Sequence, residues 1–212
     1  MSCRPKVGGK KWRCVVYCPK MRIIAGSKRG MRLLSPKTCD SRPITDRVKE
    51  SLFSVLYKYD LPSGAVVADL FCGVGSLGLE ALSRGAEFVT FVERDAKIIV
   101  TLNKNIERAG FVRVSKVMRA NVFAVGAPIV FEQREYGLVF VDPPYAATSD
   151  VQTGSRLDRL LDLLRRQVTD DGIVVVRTHE RISLLDEYGE FGMVERRQWG
   201  TMAVTILRKM RG

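Results

Sequence analysis

The stretch AVVADLFCGVGSLGLEALSRG, residues 65–85, determines the predicted fold. It opens with a short apolar run, AVVADLF, which predicts a buried strand. Three glycines follow in the pattern G-x-G-x-x-G, and the segment from Ser76 to a stop near Gly85 predicts a helix. A strand, a glycine turn and a helix in this order are typical of the first unit of a doubly wound α/β sheet.

The same alternation of strands and helices continues along the chain. Further strands are predicted at residues 87–93, 112–118, 137–141 and 172–178, and helices at residues 95–110 and 155–168. Residues 190–208 predict two more strands with no helix between them, and therefore a hairpin. We predict an α/β, Rossmann-like fold with a doubly wound, mostly parallel sheet and a C-terminal antiparallel hairpin.

The net charge of +12 is confined to one end of the chain. Residues 1–58 hold fifteen basic and three acidic residues, whereas the remaining residues hold twenty of each. A localised basic segment indicates a polyanionic partner, with nucleic acid the first candidate. We therefore expect an RNA-binding unit at residues 21–58 and a catalytic domain at residues 59–212.

Residues 1–20 contain no acidic residue and no helical periodicity. They are interpreted as a basic arm, with an artefact of start-site choice or a transit peptide as alternatives. No apolar run reaches the roughly 18 residues of a membrane span, so we expect a cytoplasmic protein with no membrane partner. We also expect a monomer. Five cysteines without a C-x-x-C pair predict neither a disulfide framework nor a metal site.

Residues 22–34 predict two short strands around a turn that carries Lys28, Arg29 and Arg32. A helix follows, with Thr45 as its expected N-cap. Basic side chains crowded on a hairpin suit contact with phosphates.

The glycine pattern by itself leaves the ligand open. Glu93 follows Gly73 by twenty residues, which suits a dinucleotide fingerprint, and the glycines could also serve only as a tight turn. Asp69, four residues before Gly73, would repel a pyrophosphate and attract a cation. We therefore favour S-adenosyl-L-methionine, which carries a sulfonium, an ammonium and a ribose, over a nicotinamide dinucleotide.

The sequence VFVDPPY, residues 139–145, brings a carboxylate to the end of a buried strand. Asp142 can accept one N–H of an aromatic amine, and the Pro143 carbonyl can accept the other. The prolines restrict the backbone, and Tyr145 offers a ring on which an extruded base can stack. Asn121 follows the third strand and suits either an adenine contact or a turn.

The blocks RIIAGSKRG (22–30), RPITDRVKESLF (42–53), DLFCGVGSLGLEALSRGA (69–86), VERD (92–95) and VFVDPPY (139–145) together resemble the RsmD-type family of 16S rRNA guanine-N2 methyltransferases. The resemblance implies a class I methyltransferase fold with a seven-stranded sheet. It implies methyl transfer from S-adenosyl-L-methionine to 16S rRNA in an assembling small ribosomal subunit.

The expected catalytic residues are Asp142, Pro143, Pro144 and Tyr145. The expected cofactor-binding residues are Asp69, Phe71, Gly73, Gly75, Glu93, Arg94, Asn121 and Val122. The residues expected to contact RNA are Arg22, Lys28, Arg29, Arg32, Arg42 and Arg47.

Three other functions share parts of this pattern. A DNA adenine-N6 or cytosine-N4 methyltransferase could use the same DPPY motif, although no insertion large enough for target recognition is present. A protein glutamine methyltransferase would resemble the Asn form of the motif. A non-catalytic RNA-binding assembly factor would not need Asp69, Glu93 and Asp142 together.

Overall fold

The structure is a computed structural model that describes residues 21–35 and 44–211. Within these residues eight strands form one sheet in the order β3-β2-β1-β4-β5-β8-β7-β6. The strands are β1 (Val66–Leu70), β2 (Phe88–Glu93), β3 (Ser115–Arg119), β4 (Tyr136–Val141), β5 (Val168–His179), β6 (Glu187–Tyr188), β7 (Phe191–Trp199) and β8 (Met202–Lys209). The basic arm predicted at residues 1–20 and the expected RNA-binding residue Arg42 lie outside the described residues.

The sheet is parallel on one side and antiparallel on the other. Strands β1 to β5 pair in parallel, whereas β8 pairs antiparallel with both β5 and β7. The predicted Rossmann-like architecture and its C-terminal hairpin are therefore confirmed. The sheet has one strand more than the seven expected. The additional strand is β6, which has only two residues and lies at the sheet edge.

The helices are α1 (Asp46–Leu56), α2 (Ser76–Ser83), α3 (Ala96–Ala109), α4 (Val122–Val125) and α5 (Arg156–Leu164). The predicted N-cap Thr45 is confirmed, because its side chain accepts a backbone N–H group in the first turn of α1. The side chains of Asp95 and Ser155 cap α3 and α5 in the same way. Within the described residues no helix is long and apolar enough to cross a bilayer.

The two faces of the sheet carry separate apolar cores. One core packs α1, α2 and α3 against the sheet, and the other packs α4 and α5 against the opposite face. All five residues of β1 are buried, as expected for a central parallel strand that is covered on both sides. The carboxyl ends of β1 to β5 therefore meet at one edge, where doubly wound sheets bind ligands.

The start of the third strand was predicted too early. Residues Val112–Val114 form a 3-10 turn, and β3 begins only at Ser115. The chain leaves α3 through Gly110, whose φ of +74° reverses its direction. One further turn is then needed before the chain can enter the sheet.

The N-terminal hairpin forms without the two regular strands that were predicted. Ile23 N–H donates to Met31 O at 2.9 Å, but the isolated bridge between Arg22 and Arg32 lies outside any named strand. The next amides along the chain, Ile24 N–H and Ala25 N–H, instead donate to the carboxylate of Glu80 on α2. The hairpin is therefore held both by its own backbone hydrogen bonds and by the Glu80 carboxylate on α2.

Glu80 is the centre of a buried charge network. It is 0% exposed and forms ion pairs with Lys49 Nζ at 3.1 Å and Arg84 Nε at 2.8 Å. Lys49 Nζ also donates to Arg22 O at 2.5 Å. Burial lowers the pKa of Lys49 even though the Glu80 carboxylate opposes that shift. This network joins the hairpin, α1 and α2 into one unit.

Candidate active site

Three carboxylates lie at the carboxyl ends of adjacent strands. Asp69 is in β1, Glu93 ends β2, and Asp142 follows β4. Burial raises the pKa of Asp69 well above its ordinary value, and the negative charges of Asp142 and Glu93 raise it further. The strand order therefore brings together three acidic residues that are up to 73 positions apart in the sequence.

The three glycines of the loop have different structural roles. A Cβ atom on Gly75 would lie 2.6 Å from Leu102 Cδ1, and one on Gly78 would lie 2.4 Å from Phe91 Cε1. Gly75 therefore leaves room for α3, and Gly78 permits close packing of α2 on the sheet. Gly73 has φ of +55°, and a Cβ atom there would meet nothing within 4 Å. Gly73 thus leaves open space beside the backbone where a ligand can approach.

Glu93 fixes the glycine loop to the end of β2. Its Oε2 accepts Gly73 N–H at 3.1 Å, and its Oε1 accepts Arg94 N–H at 2.8 Å and Asp95 N–H at 3.0 Å. Each carboxylate oxygen can accept more than one hydrogen bond, so these contacts do not prevent Glu93 from binding hydroxyl groups.

Asp69 lies beneath the loop. It is 1% exposed, and its Oδ2 accepts Gly78 N–H at 2.8 Å near the start of α2. The side chain therefore orients the helix that follows the loop.

Asp142 forms an ion pair that the sequence analysis did not predict. Its Oδ1 contacts Nε of Arg177 on β5, and both side chains are mostly buried. Burial raises the pKa of Asp142 above its ordinary value, while the charge and hydrogen bond of Arg177 act in the opposite direction. Arg177 thereby holds the carboxylate in place, and Oδ2 can accept an N–H from a substrate amine.

Tyr145 begins the short 3-10 helix Tyr145–Thr148 directly after the two prolines. Its ring packs edge-on to His179 with a centroid distance of 5.5 Å and an interplanar angle of 81°. Pro143 is buried and Pro144 is exposed. His179 at the end of β5 thus packs against the turn that carries the candidate catalytic motif.

The other expected cofactor residues contribute in different ways. Phe71 has φ of +57°, and its ring lies 5.1 Å from that of Phe123. Asn121 Oδ1 accepts Phe123 N–H at 3.2 Å and so caps α4. Val122 is 2% exposed and belongs to the apolar core that packs α4 against the sheet. Arg94 is exposed at the end of β2.

The expected RNA-binding residues lie at two separate places. Lys28 N–H donates to Ser83 Oγ at 2.9 Å, so the hairpin tip with Arg29 lies at the C-terminal end of α2. That end is about 12 Å of helix away from the glycine loop. Arg47, in the first turn of α1, instead lines a cavity together with Tyr145.

Two more of these residues remain near the hairpin. Arg22 is exposed and forms an ion pair with Asp46 at 2.6 Å, and Arg32 is also exposed. Arg22 therefore links the two places, because its partner Asp46 directly precedes Arg47 on α1.

Buried Asn105 on α3 also supports the loop. Its Nδ2 donates to Val74 O and Leu34 O, both at 3.1 Å, and its Oδ1 accepts Leu34 N–H at 2.8 Å. No sequence signal identified this residue, because its two partner residues, Leu34 and Val74, are distant from it in the chain.

Comparison with known proteins shows the family to which the chain belongs. A family model described as "Conserved hypothetical protein 95" matches residues 21–208. The chain belongs to this family. The resemblance to RsmD-type proteins is thereby confirmed. YlbH of Bacillus subtilis strain 168 is 35% identical over 193 residues, which are 89% of this chain and 99% of that protein.

Ribosomal RNA small subunit methyltransferase D of Escherichia coli K12 is 39% identical over 129 residues. The match covers 59% of this chain and 61% of that relative, so it spans less than two thirds of the relative. Among solved structures, yhhF of Escherichia coli superposes with a TM-score of 0.74 and 28% identity, covering 92% of this chain and 100% of that chain.

Proposed function

We propose that this protein transfers a methyl group from S-adenosyl-L-methionine to the exocyclic N2 of a guanine in 16S rRNA. The observation that carries the proposal is the position of Asp142 and Tyr145 beside the carboxylates of Asp69 and Glu93 at one sheet edge. The names of the relatives support ribosomal RNA as the substrate class.

The residues of the site fit S-adenosyl-L-methionine. When bound, this cofactor supplies an electrophilic methyl group on a sulfonium. Gly73 leaves space beside the loop. Glu93 can accept ribose hydroxyls, and carboxyl groups at this end of the sheet favour a cation over an anion. A pyrophosphate would be repelled by the same carboxylates, so the geometry favours this ligand over a dinucleotide.

Asp142 and the following turn orient the target amine. The lone pair of an aromatic amine is delocalised into the ring, and accepting its N–H groups favours a pyramidal nitrogen with an available lone pair. Arg177 holds Asp142 in this role, and Tyr145 supports the base. No strong general base is required, because the nitrogen becomes acidic once it is methylated and then loses its proton.

The environment of Cys72, the one cysteine among the described residues, argues against methylation of a ring carbon. Carbon methylation would suit a cysteine nucleophile, which must be a thiolate. Burial, together with the charges of Asp69 and Glu93, raises the pKa of the Cys72 thiol well above its ordinary value. A thiol in that environment is a poor nucleophile.

Mass spectrometry of rRNA nucleosides tests the proposed reaction. Small ribosomal subunits from a strain that lacks this activity are incubated with the protein and methyl-labelled S-adenosyl-L-methionine. We expect labelled N2-methylguanosine in 16S rRNA and none in a parallel incubation with duplex DNA. Label in a different nucleoside, or in DNA alone, would overturn the proposal.

The Arg177–Asp142 pair predicts a specific pH dependence. The ionised form of Asp142 is the acceptor, so kcat/KM falls as the pH drops through the pKa of Asp142. Arg177→Met removes the cation that lowers this pKa, so the acid limb of the profile should move to higher pH. Arg177→Lys retains the positive charge and should shift the limb less. Identical limbs in wild type and Arg177→Met would contradict the role of the pair.

A further inference from the structure

A cavity of about 560 Å³ lies beside the candidate catalytic motif. Three separate elements form it: the start of α1 with Arg47, the DPPY turn with Tyr145, and the β7–β8 turn with Trp199 and Met202. None of its lining residues belongs to the glycine loop. The volume is within the range of small-molecule sites, about 300–1,000 Å³. The cavity is therefore distinct from the expected cofactor position and large enough for a nucleotide.

Arg177 connects this cavity to Asp142. Its guanidinium contacts the Asp142 carboxylate, and its Nη1 lies 3.9 Å from Sδ of Met202, which lines the cavity. Tyr145, another lining residue, is only three positions after Asp142. A group that occupies the cavity is thus held next to the proposed acceptor of the target amine.

The lining suits a nucleobase with its phosphate. Tyr145 and Trp199 contribute two aromatic side chains from different elements, and nucleobases stack on such rings with little dependence on sequence. Trp199 is partly buried against the core, so its ring has a supported position. Arg47 is exposed at the cavity and offers a cation for a phosphate.

We propose that this cavity receives the extruded target guanosine, with Trp199 stacking on its base and Arg47 contacting its phosphate. The inference rests on the proposed function and adds a binding residue that lies outside the sequence motifs. It assigns the β7–β8 turn to substrate recognition.

Steady-state kinetics of two Trp199 variants test this assignment. Trp199→Leu keeps apolar bulk without an aromatic face, and Trp199→Phe keeps a ring. Gln198→Ala is the matched control, because Gln198 is the neighbouring exposed residue on β7 and does not line the cavity. The substrate is the small ribosomal subunit that lacks the modification. Calorimetry measures the affinity for S-adenosyl-L-methionine, and thermal melting confirms folding.

We expect Trp199→Leu to raise KM for the subunit at least about fivefold, since stacking contributes 1–3 kcal/mol per base. Trp199→Phe and Gln198→Ala should remain within about twofold, and cofactor affinity should not change in any variant. An unchanged KM in Trp199→Leu, with active wild type, would overturn the cavity assignment alone. Equal losses in the Leu and Phe variants together with lower melting temperatures would show a structural role and also overturn it. A wild type that methylates no base would overturn the proposed function itself.

Discussion

Replacing Asp142 with alanine should lower kcat for methyl transfer by about 10²–10³-fold, the size of effect seen when one oriented hydrogen-bonding group is removed from an active site. Affinity for S-adenosyl-L-methionine should be retained, because the loop contacts of Glu93 and Asp69 do not involve Asp142. A radiolabelled methyl-transfer assay measures the rate, and calorimetry measures the affinity.

Two further variants make the Asp142 result specific. Asp142→Asn keeps an acceptor oxygen at the same place and should retain more activity than the alanine variant. Asp150→Ala removes an exposed carboxylate from the same connection and should leave the rate unchanged. Full activity in Asp142→Ala would remove the assigned role of the DPPY carboxylate.

The second large effect concerns stability. Glu80→Ala should lower the free energy of unfolding by about 3–5 kcal/mol, the usual cost of removing one partner from a buried ion pair. The change leaves Lys49 buried without its carboxylate partner, and it removes the acceptor of two hairpin amides, Ile24 N–H and Ala25 N–H. Urea unfolding monitored by circular dichroism provides the measurement.

Matched control variants distinguish the effect of breaking the Glu80 network from the effect of losing any negative charge. Glu50→Ala removes an exposed carboxylate on α1 and should change the unfolding free energy by no more than about 0.5 kcal/mol. Glu80→Gln keeps the shape and one acceptor, so we expect an intermediate value. A loss below about 1 kcal/mol in Glu80→Ala would mean that the network contributes little.

Local chemistry explains what the sequence could predict. The strand, glycine turn and helix around Gly73 follow from backbone preferences of adjacent residues, and the caps Thr45, Asp95 and Ser155 act within one helical turn. The clustering of Asp69 and Glu93 required only the rule that parallel strands share one carboxyl edge.

The contact between Arg177 and Asp142 depends on the register of β4 and β5, which no local sequence pattern predicts. The pairing of Val141 with Val176 places Asp142 next to Arg177 on the neighbouring strand. A usable signal was present, because each charged residue directly follows an apolar strand run. The signal predicts a contact only when β4 and β5 are known to be adjacent strands.

Glu80 and Trp199 could not be assigned from the sequence for a similar reason. A glutamate on a helix, such as Glu80, is typical of a solvent-exposed face. In the structure the hairpin covers this residue. Trp199 belongs to the hairpin of β7 and β8, and its closeness to Tyr145 depends on how α1 and the DPPY turn pack around it.

The position of β8 has a consequence for biosynthesis. This strand follows all the others in chain order, yet it lies inside the sheet, between β5 and β7. While residues 202–209 are still being synthesised, the facing edges of β5 and β7 have no hydrogen-bonding partner. Such open edges are prone to intermolecular pairing. The sheet is therefore continuous only after residues 202–209 have been made, and until then the edges of β5 and β7 are open to pairing with other chains.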